Sequence, residues 1–70
     1  MTIHLGLVAF ADSEEDMAAF LASFVSAERG TTDSSYEVEV DADDPDAAAE
    51  IVDAAGDEHG VTIVAVTYRS

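Results

Sequence analysis

Cysteine, lysine and tryptophan are absent from this chain. Without cysteine there is no disulfide and no thiolate metal site, and the redox compartment leaves no mark. Without lysine, the only permanently positive side chains are Arg29 and Arg69. Nucleic-acid binding needs several Lys or Arg on phosphates, so no nucleic-acid partner is expected. No apolar run approaches the roughly 18 residues of a membrane span, so no membrane partner is expected either. The first positive charge comes at Arg29, which leaves the start without the basic flank of a secretory signal. The expected location is therefore the cytoplasm. Aromatic residues are scarce, with three Phe and two Tyr. Much of the remaining apolar content is alanine. The 70 residues are expected to form one domain over 1–70, with a shallow core and a thin stability margin. For such a domain, association is a common remedy.

What is abundant is negative charge. Sixteen acidic residues face two basic ones, for a formal net charge of −14. At low ionic strength this self-repulsion opposes a compact state. Acidic disordered chains are poor in β-branched and aromatic residues, whereas this one is regularly patterned. A mimic of nucleic-acid charge has only the sign of the charge behind it. In molar salt the Debye length shrinks to about 3 Å and the repulsion fades. The missing lysines, the Asp-rich surface and the many small residues resemble the proteins of salt-in halophiles. That resemblance is one of composition and points to an environment, not to a family.

The patterning centres on Val61–Tyr68, a β-branched and aromatic run between Gly60 and Arg69. Val61, Ile63 and Ala65 alternate with Val64, Val66 and Tyr68, so both faces are apolar and ask for cover. Thr2–Phe10 reads as a second such strand, with Ile3, Leu5, Leu7 and Ala9 opposite His4, Gly6, Val8 and Phe10. Gly6 weakens a strand unless something approaches its backbone closely, and a packed helix is the expected neighbour. Ser13 caps a helix in which Met17, Phe20, Leu21, Phe24 and Val25 form one apolar stripe, ending at Gly30. Tyr36–Val40 alternates strictly, with Glu37 and Glu39 outward, as an edge strand would. Asp44 and Pro45 open a second helix that carries Ala48, Ile51, Val52 and Ala55, and Gly60 stops it.

The expected fold is therefore a small α/β domain of order β-α-β-α-β. Its sheet is three-stranded and mainly parallel, with Tyr36–Val40 at an edge and one helix on each face. A two-layer α+β sandwich is the alternative. A ferredoxin-like β-α-β-β-α-β sandwich would need another strand between Arg29 and Tyr36, where the loop is short and polar.

No motif carries chemistry. His4 and His59, with Asp57 or Glu58, would make a metal site only if the fold brought them together. As isolated residues, His59 complements the negative end of its helix and His4 sits near a strand terminus. The acids Asp41, Asp43, Asp44 and Asp46 lack the glycine and the final glutamate of a calcium loop. The Asp12–Asp16 junction has no glycine and no basic group for a phosphate. No cofactor, metal ligand or catalytic residue is assigned. A catalytic role would have to use His4 or His59 as its base. The expected function is a non-catalytic interaction module, a homodimer or a domain docked on a larger partner, with Val64, Val66 and Tyr68 at the interface. The alternative is a small-molecule-binding regulatory domain with its ligand among Gly6, Phe10 and Tyr68.

Overall fold

The computed structural model describes residues 1–69. Its elements are β1 (Thr2–Ala11), α1 (Glu14–Ala22), β2 (Ser26–Arg29), β3 (Ser35–Asp41), α2 (Pro45–His59) and β4 (Val61–Arg69). They form a 4-stranded sheet of order β2-β3-β1-β4, antiparallel at every pairing. This overturns the three-stranded, mainly parallel sheet and leaves the two-layer α+β sandwich, with the connectivity of a split, ferredoxin-like β-α-β-β-α-β unit. The helical crossovers do join strands that run the same way, as long connections favour. Each crossover, however, skips over one strand. The connection from β1 to β2 straddles β3, and that from β3 to β4 straddles β1. Like-directed strands are thus never neighbours.

The extra strand comes out of the segment expected to finish the first helix. Ser13 caps α1 as expected, its hydroxyl accepting from the Asp16 amide. The helix then stops at Ala22, where the Ser23 hydroxyl donates to the Phe20 carbonyl at 2.6 Å. Ser23-Phe24-Val25-Ser26 is a run of poorer helix formers than the residues before it. Phe24 stays in the core layer by packing edge-on against Phe20, at 4.9 Å between ring centroids. Val25 turns out to solvent and its amide donates to the Glu39 carbonyl at 3.0 Å, which begins the β2–β3 hairpin. The polar loop is the turn of that hairpin, closed by the Gly30 amide on the Ser35 carbonyl at 2.8 Å. Gly30 is therefore a hairpin residue and not a helix cap.

The core lies between one face of the sheet and the two helices. Ile3, Leu5, Leu7 and Ala9 of β1 meet Tyr36, Val38 and Val40 of β3, and are covered by Phe20 from α1 and by Ala48, Val52 and Ala55 from α2. Asp44 caps α2 by accepting from the Ala47 amide at 2.8 Å, Pro45 follows it, and Gly60 ends the helix in the left-handed region at φ 71°. The small side chains of α2 let it lie close to the sheet. At Gly56 a Cβ would stand 2.9 Å from the Val61 carbonyl oxygen. Ile51, expected in the buried stripe, is exposed.

The strands that are apolar on both faces are covered by helices on one face only. β3 is internal, between β2 and β1, and its glutamates face the side of the sheet that carries no helix. The alternation of β3 is that of a strand with one wet face rather than of an edge.

Candidate functional site

Among the described residues this architecture leaves open the helix-free face of the sheet and its two outer edges, the short β2 and the long β4. The register places Glu28 of β2, Glu37 and Glu39 of β3, and His4, Gly6 and Val8 of β1 on the open face. From β4, Thr62, Ala65, Thr67 and Arg69 stand opposite Phe10, Val8, Gly6 and His4 on the same face. The acids lie on the β2–β3 half. The β1–β4 half has none, although the chain carries sixteen.

Gly6 is where the two halves meet. The group that approaches it is not a helix but the Arg69 guanidinium, which crosses from the edge strand towards Glu37. A Cβ on Gly6 would stand 2.7 Å from Arg69 Nε and 2.9 Å from Glu37 Oε2. The Arg69 Nε lies 3.4 Å from Glu37 Oε1, and His4 Nε2 lies 3.3 Å from the same oxygen. All three side chains are partly exposed, so these contacts stabilise weakly. Beside them is a shallow depression of about 480 Å³ floored by Gly6, Val8, Ser35, Ala65 and Thr67. A second cleft, of about 560 Å³, opens on the other side between the end of β1 and α1. Its apolar lining of Met17, Leu21 and Tyr36 is shared with Arg29, Asp12 and Asp33.

The free edge has its own geometry. β4 has a neighbour on one side only and runs for 9 residues. Its pairing with β1 slips between Val8 and Ala9, leaving Val64 as the additional residue of a β-bulge. The bulge reverses the simple alternation expected from the sequence. Val61 and Ile63 face the helices, but beyond Val64 it is Val66 and Tyr68 that do so, opposite Leu7 and Leu5. Along the first part of the edge, Asp53 and Asp57 of α2 stand beside Val61, Thr62 and Ile63. No acid of β4 itself accompanies the rest of it.

The expected site residues are placed as follows. Gly6 and Phe10 share the open face, about 13 Å apart along β1 at the usual rise of a strand. Tyr68 lies on the opposite face of the sheet, opposite Leu5, and half of it is exposed. Val64, Val66 and Tyr68 all lie on the free edge strand, with Val64 60% exposed on the bulge and Val66 packed against the core. His4 and His59 are at opposite ends of the sheet, because β4 runs antiparallel to β1 and His4 pairs with Arg69. Among the described residues, no group of three or more His, Asp or Glu side chains is arranged to hold a metal ion. No helix among them is long and apolar enough to cross a membrane. The sequence singles out neither Arg69 and Thr67 for this face nor Asp53 for the edge, and it offers Asp57 only as a metal ligand beside His4 and His59. The only signal for Arg69 was that the chain's few positive charges include one at the end of its most apolar strand. No family model matches the chain, and neither curated proteins nor solved structures offer a match.

Proposed function

We propose that the protein is a non-catalytic association module that pairs with a second copy of itself through the β4 edge, in a cytoplasm of high salt. One observation carries this reading. In a chain with sixteen acidic residues, the one long free edge, Val61–Arg69, has none. Exposed edges are commonly blunted by charge, proline or short length. β2 follows that rule, with 4 residues that include Glu28 and Arg29. β4 departs from it over its second half, and its exposed Val64 and Tyr68 add apolar surface there. Because the composition resembles that of salt-in proteins, the repulsion between two chains of net charge −14 would be screened where the protein works.

The test is solution mass by light scattering in molar KCl, for the wild type and for Tyr68→Glu, with circular dichroism on both. The wild type is expected at twice the chain mass, and Tyr68→Glu at the monomer mass with an unchanged spectrum. A wild-type monomer at all protein concentrations would remove the self-association reading and turn attention to a different partner for the edge. Val64→Glu should weaken the dimer in the same direction. A charge at Val66 is a poorer probe, since that side chain is also part of the core layer.

A second reading, a small-molecule-binding regulatory domain, has Gly6 in its favour. The missing side chain there leaves a depression beside Arg69 on the open face. Its signature would be a rise in melting temperature with one class of small anion, abolished in Arg69→Gln.

A further inference from the structure

The association reading leaves open how two copies of β4 would meet, and the strand itself restricts the answer. We infer that the two-fold axis of the dimer passes through Thr67, so that Ala65–Arg69 of one copy pairs antiparallel with Ala65–Arg69 of the other. This inference rests on self-association through β4 and adds its register.

Two independent features converge on it. The first is parity. Residues directly opposite one another in an antiparallel pair project from the same face. In β4 the bulge at Val64 shifts the alternation, so that Val61 and Ile63 share a face with Val66 and Tyr68. A register centred on Ala65 would set Thr67, on the open face, opposite Ile63, on the helix face. Any register centred near the bulge meets the same conflict. One centred on Thr67 does not. It sets Thr67 against Thr67 and Ala65 against Arg69 on the open face, and Val66 against Tyr68 twice on the helix face. The Val66–Tyr68 pairs are of the β-branched and aromatic kind that stabilises sheets, and a Thr–Thr pair on the axis is also favourable.

The second feature is charge. Asp53 and Asp57 flank Val61–Ile63 from the helix layer. Pairing that used the first half of β4 in both copies would bring these four carboxylates towards each other at the seam. Ala65–Arg69 carries no acid and one arginine. A staggered register that placed Arg69 near the partner's Asp53 and Asp57 would satisfy the charges. It fails on geometry, because Arg69 projects to the open face and α2 lies on the other.

The chain has no cysteine, so single cysteines report the register directly. Thr67 and Thr62 are both exposed and both on the open face. Across the axis, facing Cα atoms would be about 4.5–5.5 Å apart, within the span of a disulfide. Two Thr62 residues in this register would be roughly 33 Å apart, at the usual strand rise. On mild oxidation in molar KCl, Thr67→Cys is expected to convert mostly to covalent dimer and Thr62→Cys to stay at background. An equimolar mixture of Ala65→Cys and Arg69→Cys should cross-link between the two variants, while neither does so alone. This second arm protects the test against a folding defect at Thr67. Cross-linking at Thr62, or none at Thr67 and in the mixture while the wild type is dimeric by light scattering, would overturn the register and leave self-association standing. A monomeric wild type would remove both.

Discussion

At the scale of the residue, two glycines occupy tight places for different reasons, and the difference predicts opposite responses to the same substitution. At Gly6 the atoms that a Cβ would meet are the far ends of Arg69 and Glu37, both free to swing aside. Gly6→Ala should lose a weak exposed ion pair and gain from the smaller entropy loss of alanine in a strand. The net change in unfolding free energy is expected to stay within about 0.5 kcal/mol. At Gly56 the nearest atom is the Val61 carbonyl oxygen, at 2.9 Å, with Ile63 close behind. That oxygen belongs to the backbone of β4 and cannot move without shifting the strand. Gly56→Ala should therefore be destabilising despite the better helix propensity of alanine, by about 1 kcal/mol net, since overpacking typically costs about 1–3 kcal/mol. Urea unfolding of both variants in molar KCl checks the contrast. The sequence flagged Gly6 as a place of close approach but not what approaches it. Arg69 is distant in the chain, and only antiparallel pairing of the first and last strands brings it over Gly6.

At the scale of the element, the informative case is the segment from Glu14 to Arg29. A 3.6-residue spacing of apolar residues continues through Phe24 and Val25, yet the helix ends at Ala22. Phe20 is fully buried and Phe24 only partly so. Phe20→Ala is expected to cost about 3–5 kcal/mol, enough to unfold most of so small a domain. Phe24→Ala should cost clearly less, and thermal melts of the two variants would show the order. If one helix ran through both, the two losses would be similar. The caps were readable except at the end of α1, where Ser23 and not Gly30 closes the helix, because a cap depends on neighbours in the chain. Ser13, Asp44, Pro45 and Gly60 all act as the sequence indicates. Asp44→Ala should accordingly lose about 1 kcal/mol. The short β2 was not readable. Ser26-Ala27-Glu28-Arg29 has no strand pattern of its own and is held by its register with β3. Once that strand is missed, the strand order follows wrongly, since β3 then looks like an edge. The bulge at Val64 was hidden for a related reason, because nothing in a run of β-branched residues marks where its partner strand slips.

At the scale of the whole molecule, the balance is between a small core and a large charge of one sign. The fully buried large side chains are Phe20, Leu5, Leu7, Val38 and Val52, a modest set for a chain of net charge −14. The acids are spread over the helices, the loops, β2 and β3, while β1 and β4 carry none. Repulsion therefore acts mainly between the helix layer, the loops and the β2–β3 half of the sheet, and the β1–β4 half is left able to meet another surface. Salt should act on two equilibria in the same direction. Raising KCl from dilute buffer towards 1 M shortens the screening length to about 3 Å, which relieves repulsion both within a chain and between chains. The melting temperature is expected to rise with KCl, and the dissociation constant of the proposed dimer to fall over the same range. Sodium chloride should act much as potassium chloride does, because screening depends on ionic strength and not on a particular cation. The two effects are separable through Tyr68→Glu. As a monomer it should keep the salt-dependent rise in melting temperature, but that temperature should no longer depend on protein concentration, as a dimer's does. A melting temperature insensitive to KCl would mean that the acids are already accommodated in the folded chain, and the case for a high-salt environment would fall. A concentration dependence surviving in Tyr68→Glu would place the contact between copies on a surface other than the β4 edge.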